Sequence, residues 1–177
     1  MASHNGVRVK RYRGDNQPFR SQEFVTDIKL CDQQIDYSGV GAHFQNGVAE
    51  RALQTVCSWA RAMMMHQLLH WPQTFDALLW PFALEHAVYL YNHLPKQAHG
   101  MSPVELFTRT KDPNHSALRN SRVWGAPVYI LDPRLQDGGQ IPKWAPRSRQ
   151  GVCLGVSPEH SSTVGRILNP HTGFVSP

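Results

Sequence analysis

Two carboxylates occupy positions where a chain can assemble a divalent-metal site. Asp15 follows Val7 to Tyr12, a run that alternates apolar and basic residues as a half-buried strand does. Glu50 falls in the first turn of a helix that should open at Asn46-Gly47. Carboxylate oxygens delivered by a strand end and a helix are hard ligands for a divalent ion. Phosphodiester chemistry commonly uses two such ions ~3.5–4 Å apart, one at the attacking oxygen and one at the leaving oxygen. Alone, the pair carries little information, because two acids this far apart in a chain are ordinarily solvated surface charges.

The elements that must hold these acids are legible from spacing. Gly14-Asp15-Asn16 is a turn-forming run that ends the first strand. Ser21 to Leu30 has helix-compatible spacing through Phe24, Val25, Ile28 and Leu30, and Ile35 to Val40 predicts a short strand followed by a loop. The best helix runs from Gly47 to about Met65. At 100° per residue Ala49, Leu53, Val56, Ala60 and Met64 form its apolar stripe, and Glu50, Gln54, Ser58 and Arg61 a polar face. Asn46 suits the cap of that helix. Arg51, Gln54 and Arg61 are candidates to reach phosphate beside Glu50, or are plain solvated residues.

Two further helices should begin at Pro72 and Pro81, each proline suiting a first helical turn. The second has a buried stripe of Phe82, Ala83, Ala87, Leu90 and Tyr91 and closes at Leu94-Pro95. Ser102-Pro103-Val104-Glu105 reads as a capping box worth ~1 kcal/mol. Beyond Arg122 the pattern changes to short β-like runs: Val123 to Leu131, Gly151 to Val156 and Val164 to Leu168. Asn169 to Gly173 then forms a hairpin turn into Phe174 and Val175. Helices first and short strands afterwards predict two modules, with a boundary near residues 112–122.

The chain has 177 residues, 41% hydrophobic and 18% charged, which describes a globular protein rather than a disordered one. No apolar run approaches the ~20 residues of a membrane span, and Met1 to Gly14 has no hydrophobic stretch of the secretory kind. An intracellular protein with no membrane partner is expected. Three well-separated cysteines, Cys31, Cys57 and Cys153, predict free and mostly buried thiols. The ten histidines lack the companion spacing of a zinc site. A net charge of +5 favours an anionic partner. Lys143, Arg147 and Arg149 around Trp144 form the basic and aromatic mixture of a nucleic-acid surface, or a solvated loop whose tryptophan packs inward.

Tyr12-Arg13-Gly14-Asp15-Asn16 and Gln45-Asn46-Gly47-Val48-Ala49-Glu50-Arg51 resemble integrases of copia-type retrotransposons. So do Trp80-Pro81-Phe82-Ala83-Leu84, Asn92-His93-Leu94-Pro95, Ser102 to Phe107 and Val123 to Tyr129, in order over nearly the whole chain. The resemblance implies the last part of a ribonuclease-H-like core over residues 1–112. A small SH3-like β-barrel follows over residues 123–177. It matches Asp15 to the second and Glu50 to the third acid of an Asp, Asp, Glu triad that binds Mg²⁺ or Mn²⁺. It places Asn46 in the loop before the catalytic helix. The implied chemistry is DNA integration: 3′-end processing and strand transfer on nuclear DNA.

Two departures shape the expectation. The fourteen residues before Asp15 contain no acid to match the first Asp, and no His/Cys zinc module precedes it. Asn16-Gln17-Pro18-Phe19 also differs from the family's more usual Asn-Gly-rich continuation. The chain is therefore expected to bind metal weakly and to be inactive unless other integrase chains or the missing N-terminal part complete it. With only the last two of five core strands, the helices from Gly47 and Pro81 should lose sheet partners and expose apolar surface. The alternative is a non-catalytic nucleic-acid-binding or interaction module, or a non-functional transposon relic.

Overall fold

The structure is a computed structural model that describes residues 6–14, 18–39, 46–98, 100–136 and 138–177. It is mixed α/β, and its chain divides into two compact units. The first comprises Met1–Thr55 with Val104–Thr110, and the second Val56–Pro103 with Lys111–Pro177. This division follows packing, and is of a different kind from the sequence modules 1–112 and 123–177.

In the first unit strand β1 (Arg11–Gly14) pairs in parallel with β2 (Gln34–Tyr37), Arg11 opposite Gln34 and Gly14 opposite Tyr37. Parallel neighbours need a crossover, and helix α1 (Gln22–Leu30) supplies it. Ser21 caps α1, its Oγ accepting from the Phe24 amide at 3.4 Å, while Ile28 is buried. The expected strand at Val7–Tyr12 starts later. Val7 and Val9 alternate with exposed Arg8 and Lys10 as anticipated, yet the ladder forms only where β2 offers partners. Gln33 instead ties Val9 with a side-chain amide, donating to its carbonyl at 2.8 Å.

Helix α2 (Gly47–His70) outruns the expected end at Met65 because nothing before Pro72 opposes it. Trp71, ahead of that proline, adopts φ −138° and ψ 60° and leaves the helix. The helix expected from Pro72 is replaced by two 3₁₀ turns, Pro72–Thr74 and Ala77–Leu79. Phe75 is extended between them, and Asp76 caps the second by accepting from the Leu78 amide at 2.8 Å. Helix α3 (Trp80–His93) begins with Pro81 in its first turn and ends before Pro95. Two short helices follow, α4 (Pro103–Thr108) and α5 (Ser116–Arg119).

The second unit is built on an antiparallel sheet ordered β3 (Pro127–Leu131), β4 (Ser148–Val156), β5 (Gly165–Leu168) and β6 (Val175–Ser176). A short helix, α6 (Pro133–Gln136), leaves β3. The hairpin turn forms as expected: the Asn169 amide donates to Phe174 at 2.8 Å and the Gly173 amide to Asn169 at 2.9 Å. The anticipated barrel does not close. Among the described residues β3 and β6 remain the two edges, and a two-residue β6 is too short to bridge them.

Helix α3 also corrects an expectation, since it has a sheet partner. Ala83 and Ala87, both 0% exposed, let it lie against Val152 and Leu154 of β4, joined in one core by Val56, Ala60, Leu79 and Trp124. Burying a side chain such as Val152 contributes about 1.5–3 kcal/mol. Two glycines permit the close approach. Gly125 (φ 78°) lies beneath Gln67, and Gly155 (φ 104°) beneath His86, where a Cβ would stand 2.5 Å from the imidazole Nδ1. Arg166 of β5 pairs with Glu85 and lies over the Phe82 ring at 5.3 Å. The exposed apolar surface expected of α2 is present: Val48, Leu53, Met65 and Leu69 are each more than half exposed. No described helix is long and apolar enough to cross a membrane.

Candidate functional site

Asp15 lies outside the described residues, as does the segment 40–45 before α2. The residues on either side of these gaps define one edge of the first unit. Both parallel strands end there: the Ser38 amide, just past β2, donates to the Gly14 carbonyl at the end of β1 at 3.1 Å. Ser38 is 3% exposed, and its Oγ accepts from the Asn46 side-chain amide at 3.4 Å. Asn46 sits immediately before α2. One chain of hydrogen bonds therefore runs from the residue preceding Asp15 to the start of the helix that carries Glu50. In open parallel sheets the carboxyl ends of the strands are where ligands bind.

Glu50 is exposed in the first turn of α2. The free amides of a helix N-terminus favour a negative charge there, and no ion pair or hydrogen bond engages its carboxylate among the described residues. Asn46, Glu50 and Gln54 follow at steps of four, each turned about 40° from the last, and so share a face. Arg51 is exposed but about 100° from Glu50, which puts it off that face. Arg61 is exposed on the part of α2 that belongs to the second unit. A carboxylate with a free coordination sphere suits a hard divalent ion. Among the described residues no three His, Cys, Asp or Glu side chains gather as a metal site.

The second candidate cluster lies in the other unit and stands by itself. Lys143, Trp144, Arg147 and Arg149 are all exposed, on the segment leading into β4 and on its first residues. Trp144 is 90% exposed, so it does not pack inward, and the Lys143 ammonium lies 5.5 Å from its ring centroid. Sequence spacing missed the acid beside this patch. Asp132 accepts from the Arg134 guanidinium at 3.0 and 3.1 Å and from its amide. These hydrogen bonds, with the charges of Arg134 and Arg149, hold the Asp132 carboxyl below its ordinary range. Arg134 is thus occupied, which leaves Lys143, Arg147 and Arg149 as the exposed cations of this patch with no carboxylate partner among the described residues.

Ser38 is the other residue that sequence reasoning missed, because nothing in Tyr37-Ser38-Gly39 distinguishes it from any turn serine. The thiols also differ from expectation: Cys153 is buried, with burial pushing its thiol up, whereas Cys31 and Cys57 are exposed. Cys31 caps the exposed end of α1, and Cys57 points away from the core stripe of Val56 and Ala60. Compared with known proteins, the chain matches no family model and no curated protein.

Proposed function

We propose that this chain is part of a copia-type retrotransposon integrase, comprising ribonuclease-H-like core elements and an SH3-like module, whose reaction is metal-dependent DNA strand transfer. The ordered motifs from Tyr12 to Tyr129 suggest it. The observation that supports it most is the hydrogen-bonded edge Gly14–Ser38–Asn46, which relates the residue before Asp15 to the helix of Glu50. In this reading Asp15 and Glu50 hold Mg²⁺ or Mn²⁺, which supplies polarisation of the attacking hydroxyl and charge relief at the leaving oxygen. Asn46 fixes the start of the helix through Ser38, and Gln54 lies one turn beyond Glu50 on the side where a DNA phosphate would run. Arg51 and Arg61 serve as further phosphate contacts at the flanks.

A strand-transfer assay with Mn²⁺ tests the reading. The 177-residue chain alone gives no product. Supplemented with a polypeptide that contributes the first acid, it gives product that Glu50→Gln abolishes. Product formation indifferent to Glu50→Gln, with or without the supplement, overturns the assignment.

A second reading, a non-catalytic nucleic-acid-binding module, draws on a separate observation: a tryptophan 90% exposed among three solvent-facing cations. Bases stack on such rings at ~1–3 kcal/mol each. Binding to DNA should weaken steeply with salt as phosphate counterions are exchanged, and Trp144→Ala should weaken it by about tenfold at fixed salt. Binding that ignores salt or the loss of Trp144 counts against it.

A further inference from the structure

The last turn of α2 carries two imidazoles that belong to neither cluster. His66 and His70 are both exposed, and their ring centroids lie 4.3 Å apart. Residues at i and i+4 stand on the same helix face, so the backbone keeps the two rings within reach of each other. Neutral imidazole is the commonest ligand for Zn²⁺, Cu²⁺ and Ni²⁺. At metal–nitrogen distances of about 2.0–2.1 Å, two nitrogens on one tetrahedral ion stand roughly 3.3 Å apart. Rings already in contact reach that separation by turning about their own side-chain bonds. No hydrogen bond engages either ring among the described residues, so neither has to be released first. Trp71 completes the group, its ring 5.5 Å from His66 and 5.9 Å from His70.

We propose that His66 and His70 form a two-imidazole chelate for a borderline divalent cation, with water in the remaining coordination positions. The site is independent of the integrase reading, whose carboxylates take hard cations that imidazole binds poorly. An ion bridging one helical turn binds the folded helix more tightly than the unfolded chain, and therefore raises the stability of the chain with the logarithm of its free concentration above Kd. Trp71 makes the site visible, because a paramagnetic ion held beside an indole quenches its fluorescence.

The full chain is titrated separately with CuCl₂, NiCl₂, ZnCl₂ and MgCl₂, following tryptophan emission and the melting temperature. Cu²⁺ quenches saturably and more tightly than Ni²⁺, Zn²⁺ raises the melting temperature, and Mg²⁺ does neither. His66→Ala and His70→Ala each weaken binding by about tenfold or more, since one imidazole loses the advantage of the linked pair. His70→Gln, which keeps a long polar side chain without the ring, behaves like His70→Ala. Trp71→Phe removes most of the quench while the Zn²⁺ effect on melting persists. Quenching that never saturates, or quenching and melting shifts that survive loss of either histidine, overturn the proposal.

Discussion

The two compact units divide labour unequally between packing and chemistry. Among the described residues Ile28 is the one buried hydrophobic side chain of the first unit, while the other nine lie in the second. Yet the first unit carries the exposed Glu50, the Ser38–Asn46 link and the position that leads to Asp15. The second has its α3 pressed on β4 through alanines and holds its polar patches on the periphery. A two-stranded ladder is marginal without further partners, so Glu50 belongs to the unit with the smaller buried core among the described residues. Stability and candidate chemistry are separable here, and substitutions should reveal it.

The largest effect is expected from Ala87→Asp. A carboxylate forced into a position with 0% exposure and no cation partner costs about 3–5 kcal/mol. Cooperative melting of the second unit, followed by tryptophan near-UV circular dichroism, should be lost. A shift of only a few degrees would show that α3 and β4 are not the centre of the core. Next comes Ile28→Ala, at about 2–4 kcal/mol for a deleted buried aliphatic group. Hydrogen exchange should accelerate at the amides of α1 and β2 and stay unchanged at β4. Equal acceleration in both units would merge what packing separates.

The smallest effect concerns pH. Burial lowers the His86 pKa below its ordinary value of 6.5, so the folded state holds the ring neutral and binds fewer protons than the unfolded chain. Its contribution is full above 6.5 and is lost as pH falls below that value toward the folded one. Melting curves of the parent and His86→Gln should therefore converge as pH drops from 7.5 to 5. Parallel curves across that range would remove His86 from the account.

What the residues revealed in advance was local. The helical run over Ser21 to Leu30, Pro81 in the first turn of α3, its close before Pro95 and the Asn169–Gly173 turn each depend on a few neighbouring positions, and all appear where spacing put them. What spacing missed was tertiary. Leu53 belongs to the apolar stripe of α2 yet is 62% exposed, while Gln67 is 0% exposed. Gln67 is buried because Gly125 admits it and the 3₁₀ turn after α2 offers the Thr74 carbonyl at 2.9 Å. No periodicity encodes a partner supplied by another element. For the same reason α3 found a sheet that the resemblance did not assign to it. At the site, the acids were identified by type and motif, whereas the Ser38 bridge depends on how two strand ends meet.

The hollow at Gly155 makes two distant positions inherit each other's fate. His86 occupies the space a side chain there would need, so residue 155 cannot enlarge while the imidazole remains. Shrinking residue 86 to alanine would lift the crowding but leave the backbone torsion of 104°, which still favours glycine. Changes at the two sites should therefore combine non-additively, the second costing less once the first has been made. Any lineage of this fold that loses the histidine gains freedom on the strand only in part.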